Sequence, residues 1–208
     1  MNTNSPLIIV ISAPSGTGKT TIVRELIKKN ENLVASISYT TRKKRANEIN
    51  GEDYNFVTSD LFSSMIQEKA FLEYAKVFDS FYGTSKKEVG KSLSSGLNVI
   101  LEIDWQGAMQ IKKESPDCIM LFLLPPSKEE LMSRLKKRGT DSRNEIQLRF
   151  NEALNDINHY GAFDKIFINT DISSTVKEIT DFIKTVPNHN NSFSEEVKLI
   201  IEAFRSSK

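Results

Sequence analysis

Along this chain, short uninterrupted apolar runs alternate with longer stretches whose apolar positions recur every third or fourth residue. Leu7, Ile8, Ile9, Val10 and Ile11 form the first run, and Ile22 to Lys29 supplies the first helical pattern. The pairing returns with Asn98 to Asp104 before Trp105 to Lys113, and with Cys118 to Leu124 before a helix ending at Lys137. It returns again with Lys165 to Asn169 before Ser173 to Thr185. Strands this apolar are buried on both faces, and their alternation with helices predicts βα units around a parallel sheet. Ser127 and Glu130 predict a capping box for the helix through Lys137. A second amphipathic helix is expected from about Asn144 to Tyr160, after a break at Gly139-Thr140-Asp141-Ser142.

Between Ile37 and about Ser95 that rhythm is lost. Leu33 to Ile37 reads as a short strand, and Ser38 to Arg45 is polar and densely basic. Asn50-Gly51 signals a tight turn, Asp53 to Val57 a strand, and Ser59 or Asp60 a cap for a helix over Leu61 to Gln67. Phe71 to Phe78 is a further strand, with Glu73 set in an otherwise apolar run. Phe81 to Thr84 and a helical segment from Ser85 to Ser94 complete what reads as an inserted lobe. At the other end, Val197, Ile200, Ile201 and Phe204 share one helical face, the pattern of a helix packed on the body.

Chemistry concentrates first in Ser12-Ala13-Pro14-Ser15-Gly16-Thr17-Gly18-Lys19-Thr20-Thr21, between the first strand and its helix. Strand, glycine-bearing turn and helix in that order are the setting of a phosphate-binding P-loop. Its amides and the positive end of the helix dipole point at the same anion. Gly18, Lys19 and Thr20 fit the pattern G-x-x-x-x-G-K-[ST]; Ala13 stands where it asks for glycine. Lys19 is expected on the β- and γ-phosphates and the Thr20 hydroxyl on Mg²⁺. Glu102 and Asp104 end an apolar strand, at the edge where ligands sit in open α/β sheets.

Composition narrows the partners. With 28 Lys and Arg against 27 Asp and Glu, the net charge of +1 offers no general attraction to a nucleic-acid polymer. The single cysteine, Cys118, lies in a buried strand, which excludes a disulfide framework and favours a reducing compartment. No apolar stretch reaches membrane-spanning length, and a cytoplasmic protein is expected.

Taken together, the blocks Ser12 to Thr20, Ser38 to Arg42, Asn50 to Val57, Phe71 to Ala75, Tyr82 to Thr84 and Glu102 to Gly107 resemble those of guanylate kinases. The resemblance runs from about Leu7 to Ile183. It implies a P-loop kinase core (residues 1-36, 96-126 and 159-208), an inserted mixed α/β GMP-binding lobe (37-95) and a helical lid (127-158). The implied ATP contacts are Ala13, Pro14, Ser15, Gly16, Thr17, Gly18, Lys19, Thr20, Thr21 and Asn169. Implied for GMP are Ser38, Arg42, Arg45, Tyr54, Glu73, Tyr82, Gly83, Thr84 and Asp104. Arg42, Arg45, Tyr54 and Tyr82 would grip its phosphate, while Glu73 would accept from guanine N1–H and the 2-amino group and Thr84 would donate to O6. By themselves, Glu73 reads as a strand-edge charge and the two tyrosines as half-buried aromatics. Lys19 and Arg42, with Arg134, Arg138 and Arg149 of the lid, would be catalytic.

The resemblance also implies Mg²⁺, on Thr20 and, through water, on Glu102, which stands where the family usually has Asp. Thr84 likewise replaces a common Ser. The expected reaction is MgATP plus GMP or dGMP, by direct in-line transfer in a monomer or homodimer, with the lobes closing over both substrates. A non-catalytic binding module of similar fold and an enzyme for another monophosphate are the alternatives. A GTPase is disfavoured by the absence of an N-K-x-D motif after the P-loop.

Overall fold

The computed structural model describes residues 5–77, 79–137, 142–185 and 193–206. Its elements begin with β1 (Ile8–Ser12), α1 (Lys19–Lys29), β2 (Leu33–Ala35), β3 (Tyr39–Thr40), β4 (Asn55–Phe56) and α2 (Ser59–Gln67). Next come β5 (Phe71–Val77), β6 (Ser80–Ser85), α3 (Lys86–Ser94), β7 (Asn98–Glu102) and α4 (Trp105–Glu114). The chain ends with β8 (Ile119–Leu124), α5 (Lys128–Lys137), α6 (Arg143–Ile157), β9 (Lys165–Ile168), α7 (Ile172–Thr185) and α8 (Glu195–Arg205). This is the α/β architecture with parallel strand pairing that the apolar runs predict.

The chain divides into two compact units, the first formed by residues 1–10 and 31–118, the second by 11–30 and 119–208. In the first, β2 runs parallel to β7, with Val34 opposite Val99, and β1 is the other neighbour of β7. A separate four-stranded sheet has the order β4-β3-β6-β5, with β5 and β6 antiparallel. On it Phe62 of α2 stacks on Phe71 and Phe81, with ring centroids 4.6 and 5.5 Å apart. Along β5 burial alternates, so Phe71, Glu73 and Ala75 share the inner face.

In the second unit β8 runs parallel to β9, and every residue of β8 is buried. Ile22, Val23 and Leu26 of α1 and Val176, Ile179 and Phe182 of α7 are buried as well. α8 packs on α6 and β9 through Val197, Ile201 and Phe204, while Ile200 is only half-buried.

Several boundaries differ from expectation. Tyr39–Thr40 and Ser80–Ser85 are strands, although neither segment has a run of apolar residues. They exist because β6 lies between two partners, pairing Tyr82 with both Thr40 and Ala75. The predicted strand over Asp53 to Val57 shrinks to Asn55–Phe56, and β2 stops at Ala35. At α5, Ser127 Oγ caps the Glu130 amide, but the Glu130 carboxylate turns to Arg134, so the box is only half made. The complete capping box belongs to α6, between Ser142 and Glu145. α6 also ends sooner than its pattern suggests, at Ile157, ahead of a 3₁₀ turn over Tyr160–Ala162.

Candidate active site

In the second unit, the expected anion cradle is made of backbone. Gly16 and Gly18 have φ of 92° and 97°, values that L side chains rarely adopt, and Gly18 is the residue from which α1 starts. Ala13 needs no such freedom: Lys69 is the only non-glycine residue with positive φ among the described residues. Alanine at position 13 is therefore compatible with the turn.

α1 differs from the other helices at its first turn. Thr58, Ser85, Asp104, Ser127, Ser142, Asp171 and Ser194 each place a side-chain oxygen on a first-turn amide of their helices. Gly18 offers no side-chain cap, and α1 carries no acid in its first turn. Its first turn therefore presents amides and the positive dipole end with no side-chain cap from its own N-terminal residue, the arrangement that suits an outside anion. Lys19, Thr20 and Thr21 occupy this turn. Thr17 is fully buried, and its Oγ1 has no hydrogen-bond partner in the structure.

Two side chains hold the turn from behind. Asn169, 3% exposed, donates from Nδ2 to the Thr17 carbonyl at 2.7 Å. Arg134 donates from Nη1 to the same carbonyl at 3.1 Å, from Nη2 to Asn169 O at 3.0 Å and from Nε to Glu130 at 2.8 Å. Every guanidinium nitrogen of Arg134 is therefore engaged at the turn or on its own helix. Arg149 sits on α6, where its positive charge acts on Glu145 and Glu152. Arg138 lies outside the described residues.

In the first unit, the predicted acceptor residues other than Asp104 lie on or beside the strands of the four-stranded sheet and in the loop after β3. Arg42 donates from Nη2 to Glu48 Oε1 at 2.6 Å, and the Arg45 amide donates to Glu48 Oε2 at 2.7 Å. The Arg42 guanidinium also lies over the rings of Tyr54 and Phe56, 5.3 and 5.6 Å from their centroids. Burial works against the Arg42 charge, but the hydrogen bond to Glu48, with help from Tyr82, raises its pKa overall. The same bond holds the Glu48 carboxyl below its usual range. Burial, then the negative charge of Glu102, pushes the Tyr54 phenol up to about 12, so it stays a proton donor. Tyr54 meets Tyr82 edge-on at 5.8 Å.

Glu73 is not a strand-edge charge. It is 3% exposed on the inner face of β5, and Thr84, fully buried on β6, donates to its Oε1 at 2.6 Å. A buried carboxylate is costly unless its oxygens find donors, which makes this pair a candidate for a ligand rich in N–H groups. The hydroxyl has one proton, and here Glu73 holds it. Gly83 packs on aromatic rings: a Cβ there would come within 2.9 Å of Phe71. Ser38 accepts the Asn55 amide through its carbonyl at 2.9 Å. Asp104 caps α4, accepting the Gly107 amide on Oδ1 at 2.8 Å, and Glu102 is half-buried at the end of β7. Sequence reasoning missed Glu48, which organises both arginines, and Phe56 beneath Arg42. Their only signal was one acid shortly after a basic run, and only the folded loop turns it back onto Arg42.

Among the described residues no group of three or more His, Cys, Asp or Glu could hold a metal, and no helix is long and apolar enough to cross a membrane.

Comparison with known proteins bears on the chain as a whole. The family model described as guanylate kinase matches residues 5–186. A guanylate kinase of Caldanaerobacter subterraneus is 48% identical over 177 residues, covering 85% of this chain and 86% of that protein. One from Rickettsia prowazekii is 43% identical over 192 residues, covering 92% and 98%. The crystal structure of guanylate kinase from Anaplasma phagocytophilum superposes with a TM-score of 0.73 at 29% identity, covering 98% of each chain. With a glycine-shaped turn that lacks a side-chain cap in one unit and a buried carboxylate bonded to Thr84 in the other, the chain belongs to the guanylate kinase family, nucleoside monophosphate kinases acting as ATP:GMP phosphotransferases.

Proposed function

We propose that this chain moves the γ-phosphoryl group of MgATP to GMP, and also to dGMP, by direct in-line attack of the acceptor phosphate oxygen. No nucleophilic side chain is required, because the acceptor supplies the attacking oxygen and the protein positions and neutralises. The first-turn amides of α1, with Lys19, receive the β- and γ-phosphates. Arg42 and Arg45, with Tyr54 and Tyr82, take the acceptor phosphate, since guanidinium forks match phosphate oxygens in pairs. Arg149 adds positive charge to the transferring group, while Arg134 keeps the P-loop in shape.

The observation that carries the acceptor assignment is the buried Glu73 carboxylate with Thr84 on its Oε1. Guanine offers N1–H and a 2-amino group to those oxygens, and O6 to the Thr84 hydroxyl once guanine takes Glu73 over. Adenine lacks the 2-amino group and carries a donor in place of O6. None of these contacts involves a ribose 2′-hydroxyl, which is the argument for dGMP. Mg²⁺ suits the donor set, a Thr20 hydroxyl and a Glu102 carboxylate acting through water, because it keeps most of its shell as phosphate and water oxygens. When bound it neutralises charge on the β- and γ-phosphates. The setting we infer is the cytoplasm, with ATP and the guanine nucleotide as small-molecule partners.

Coupled assay of ADP formation with GMP, dGMP, AMP and UMP, with and without Mg²⁺, tests the reading. Turnover should require Mg²⁺ and be confined to GMP and dGMP. No ADP with GMP, or equal rates with AMP, would overturn it.

A further inference from the structure

Glycine is a poor helix residue, yet α4 carries Gly107 at its third position, buried beneath the acceptor carboxylate. A Cβ built there would fall 2.6 Å from Glu73 Oε2 and 3.1 Å from its carboxyl carbon, with Ile103 Cδ1 at 3.3 Å. Gly90, in the helix α3, is different: a Cβ there meets nothing within 4 Å. One helical glycine holds space for a carboxylate; the other does not.

The helix cannot retreat to make room. Gln110, one turn beyond Gly107, accepts the Tyr74 amide at 3.2 Å and donates to the Tyr74 carbonyl at 2.8 Å, fastening α4 to β5 beside Glu73. Ala108 and Ile111 of the same helix are fully buried. Glu73 cannot easily move either, because Oε1 is held by Thr84 at 2.6 Å and the strand keeps the side chain inside.

We propose that Gly107 is a specificity-determining positioning residue: by lacking a Cβ it lets the Glu73 carboxylate rest against the first turn of α4, where both oxygens can face guanine N1–H and the 2-amino group. This rests on the guanine reading of the acceptor lobe. Gly107 makes no contact of its own with the base. Its effect passes through the position of Glu73, so selectivity for the 2-amino group must change when space is removed and return when the acid is shortened.

The test uses the full chain and two acceptors, GMP and IMP, which lacks only the 2-amino group. Gly107→Ala should lower the GMP-to-IMP ratio of kcat/KM by about tenfold or more, mainly through KM for GMP, with KM for ATP unchanged. Glu73→Asp should cost GMP turnover in the native background and clearly less in the Gly107→Ala background, since the shorter acid clears the new methyl. Gly90→Ala should leave the ratio as it is. Thermal unfolding supplies a readout free of substrate: Gly107→Ala should lower Tm in the native chain and raise it in a Glu73→Ala background. An unchanged GMP-to-IMP ratio in Gly107→Ala, or an equal cost of Glu73→Asp in both backgrounds, overturns the proposal. Should Gly107→Ala fail to fold, a Tm change of the same sign with and without the Glu73 carboxylate does so. Absence of GMP turnover by the native chain would instead count against the guanine reading itself.

Discussion

The two proposed anion cradles are built by opposite means. The P-loop side is contiguous backbone, ten residues from Ser12 to Thr21 shaped by two positive-φ glycines and left uncapped at α1. The proposed acceptor side consists of side chains carried on separated segments: Arg42 bonds to Glu48 and lies over Tyr54, and Thr84 bonds to Glu73. A backbone cradle tolerates substitution wherever φ is ordinary, which is why Ala13 can replace glycine. A side-chain cradle depends instead on the length and charge of each member. The difference predicts where a single change is felt. The largest loss should follow removal of Lys19, the one side chain the backbone cradle cannot replace. Lys19→Ala is expected to reduce kcat by about 10³ or more while unfolding temperature stays the same. Near-native turnover in a steady-state assay would remove Lys19 from the reaction.

The next effect belongs to the other cradle. Glu73→Gln keeps the shape of the side chain but replaces one acceptor oxygen by a donor facing guanine donors. We expect kcat/KM for GMP to fall by about 10³, with KM for ATP unmoved, because a mispaired polar group in a closed site carries its full desolvation cost. If GMP kinetics survive this change, base recognition does not run through Glu73.

The supports of the P-loop sharpen the comparison further. Asn169 and Arg134 donate to the same Thr17 carbonyl. Asn169→Ala and Arg134→Ala should each raise KM for ATP by about tenfold, and the double variant by less than the product. Titration of all three variants with ATP decides. A full product of the two effects would mean that the residues act separately.

This contrast also explains what was legible in the sequence. The P-loop could be read because its geometry is local: glycines, lysine and threonine sit next to the atoms they serve. The βα units were legible through the apolar runs at Ile8–Ser12, Asn98–Glu102 and Ile119–Leu124. β3 and β6 were not, because their strand character comes from pairing with each other and with β5 rather than from their composition. Glu73 was visible as an acid in an apolar strand, but its burial and its bond to Thr84 depend on a register that joins positions 11 residues apart. The family resemblance, not periodicity, singled out its residue. Glu48 stayed hidden for a similar reason, since it acts through a loop that folds back; Gly107 stood in a resembling block, but its closeness to the Glu73 carboxylate appears only in the fold.

The smallest expected effect isolates charge within the acceptor cradle. Glu48 accepts from Arg42 at 2.6 Å and from the Arg45 amide at 2.7 Å, and the first of these holds its pKa below the ordinary 4.5. A carboxylate whose pKa is lower when folded binds fewer protons in the native state than in the unfolded chain. Its contribution is therefore complete above about pH 4.5 and is lost as pH falls through the folded value. Glu48→Gln keeps the shape and one oxygen for the Arg45 amide, but removes the charge and puts an amide donor where Arg42 now finds an acceptor. It should cost about 1 kcal/mol or less at neutral pH, and the difference from the native chain should shrink towards zero on acidification. Urea unfolding of both proteins from pH 7 down to pH 3.5 measures this directly. A gap that persists unchanged at the acid end would mean that Glu48 holds the loop by shape rather than by charge, and the acceptor cradle would then resemble its backbone-built counterpart more closely than its contacts imply.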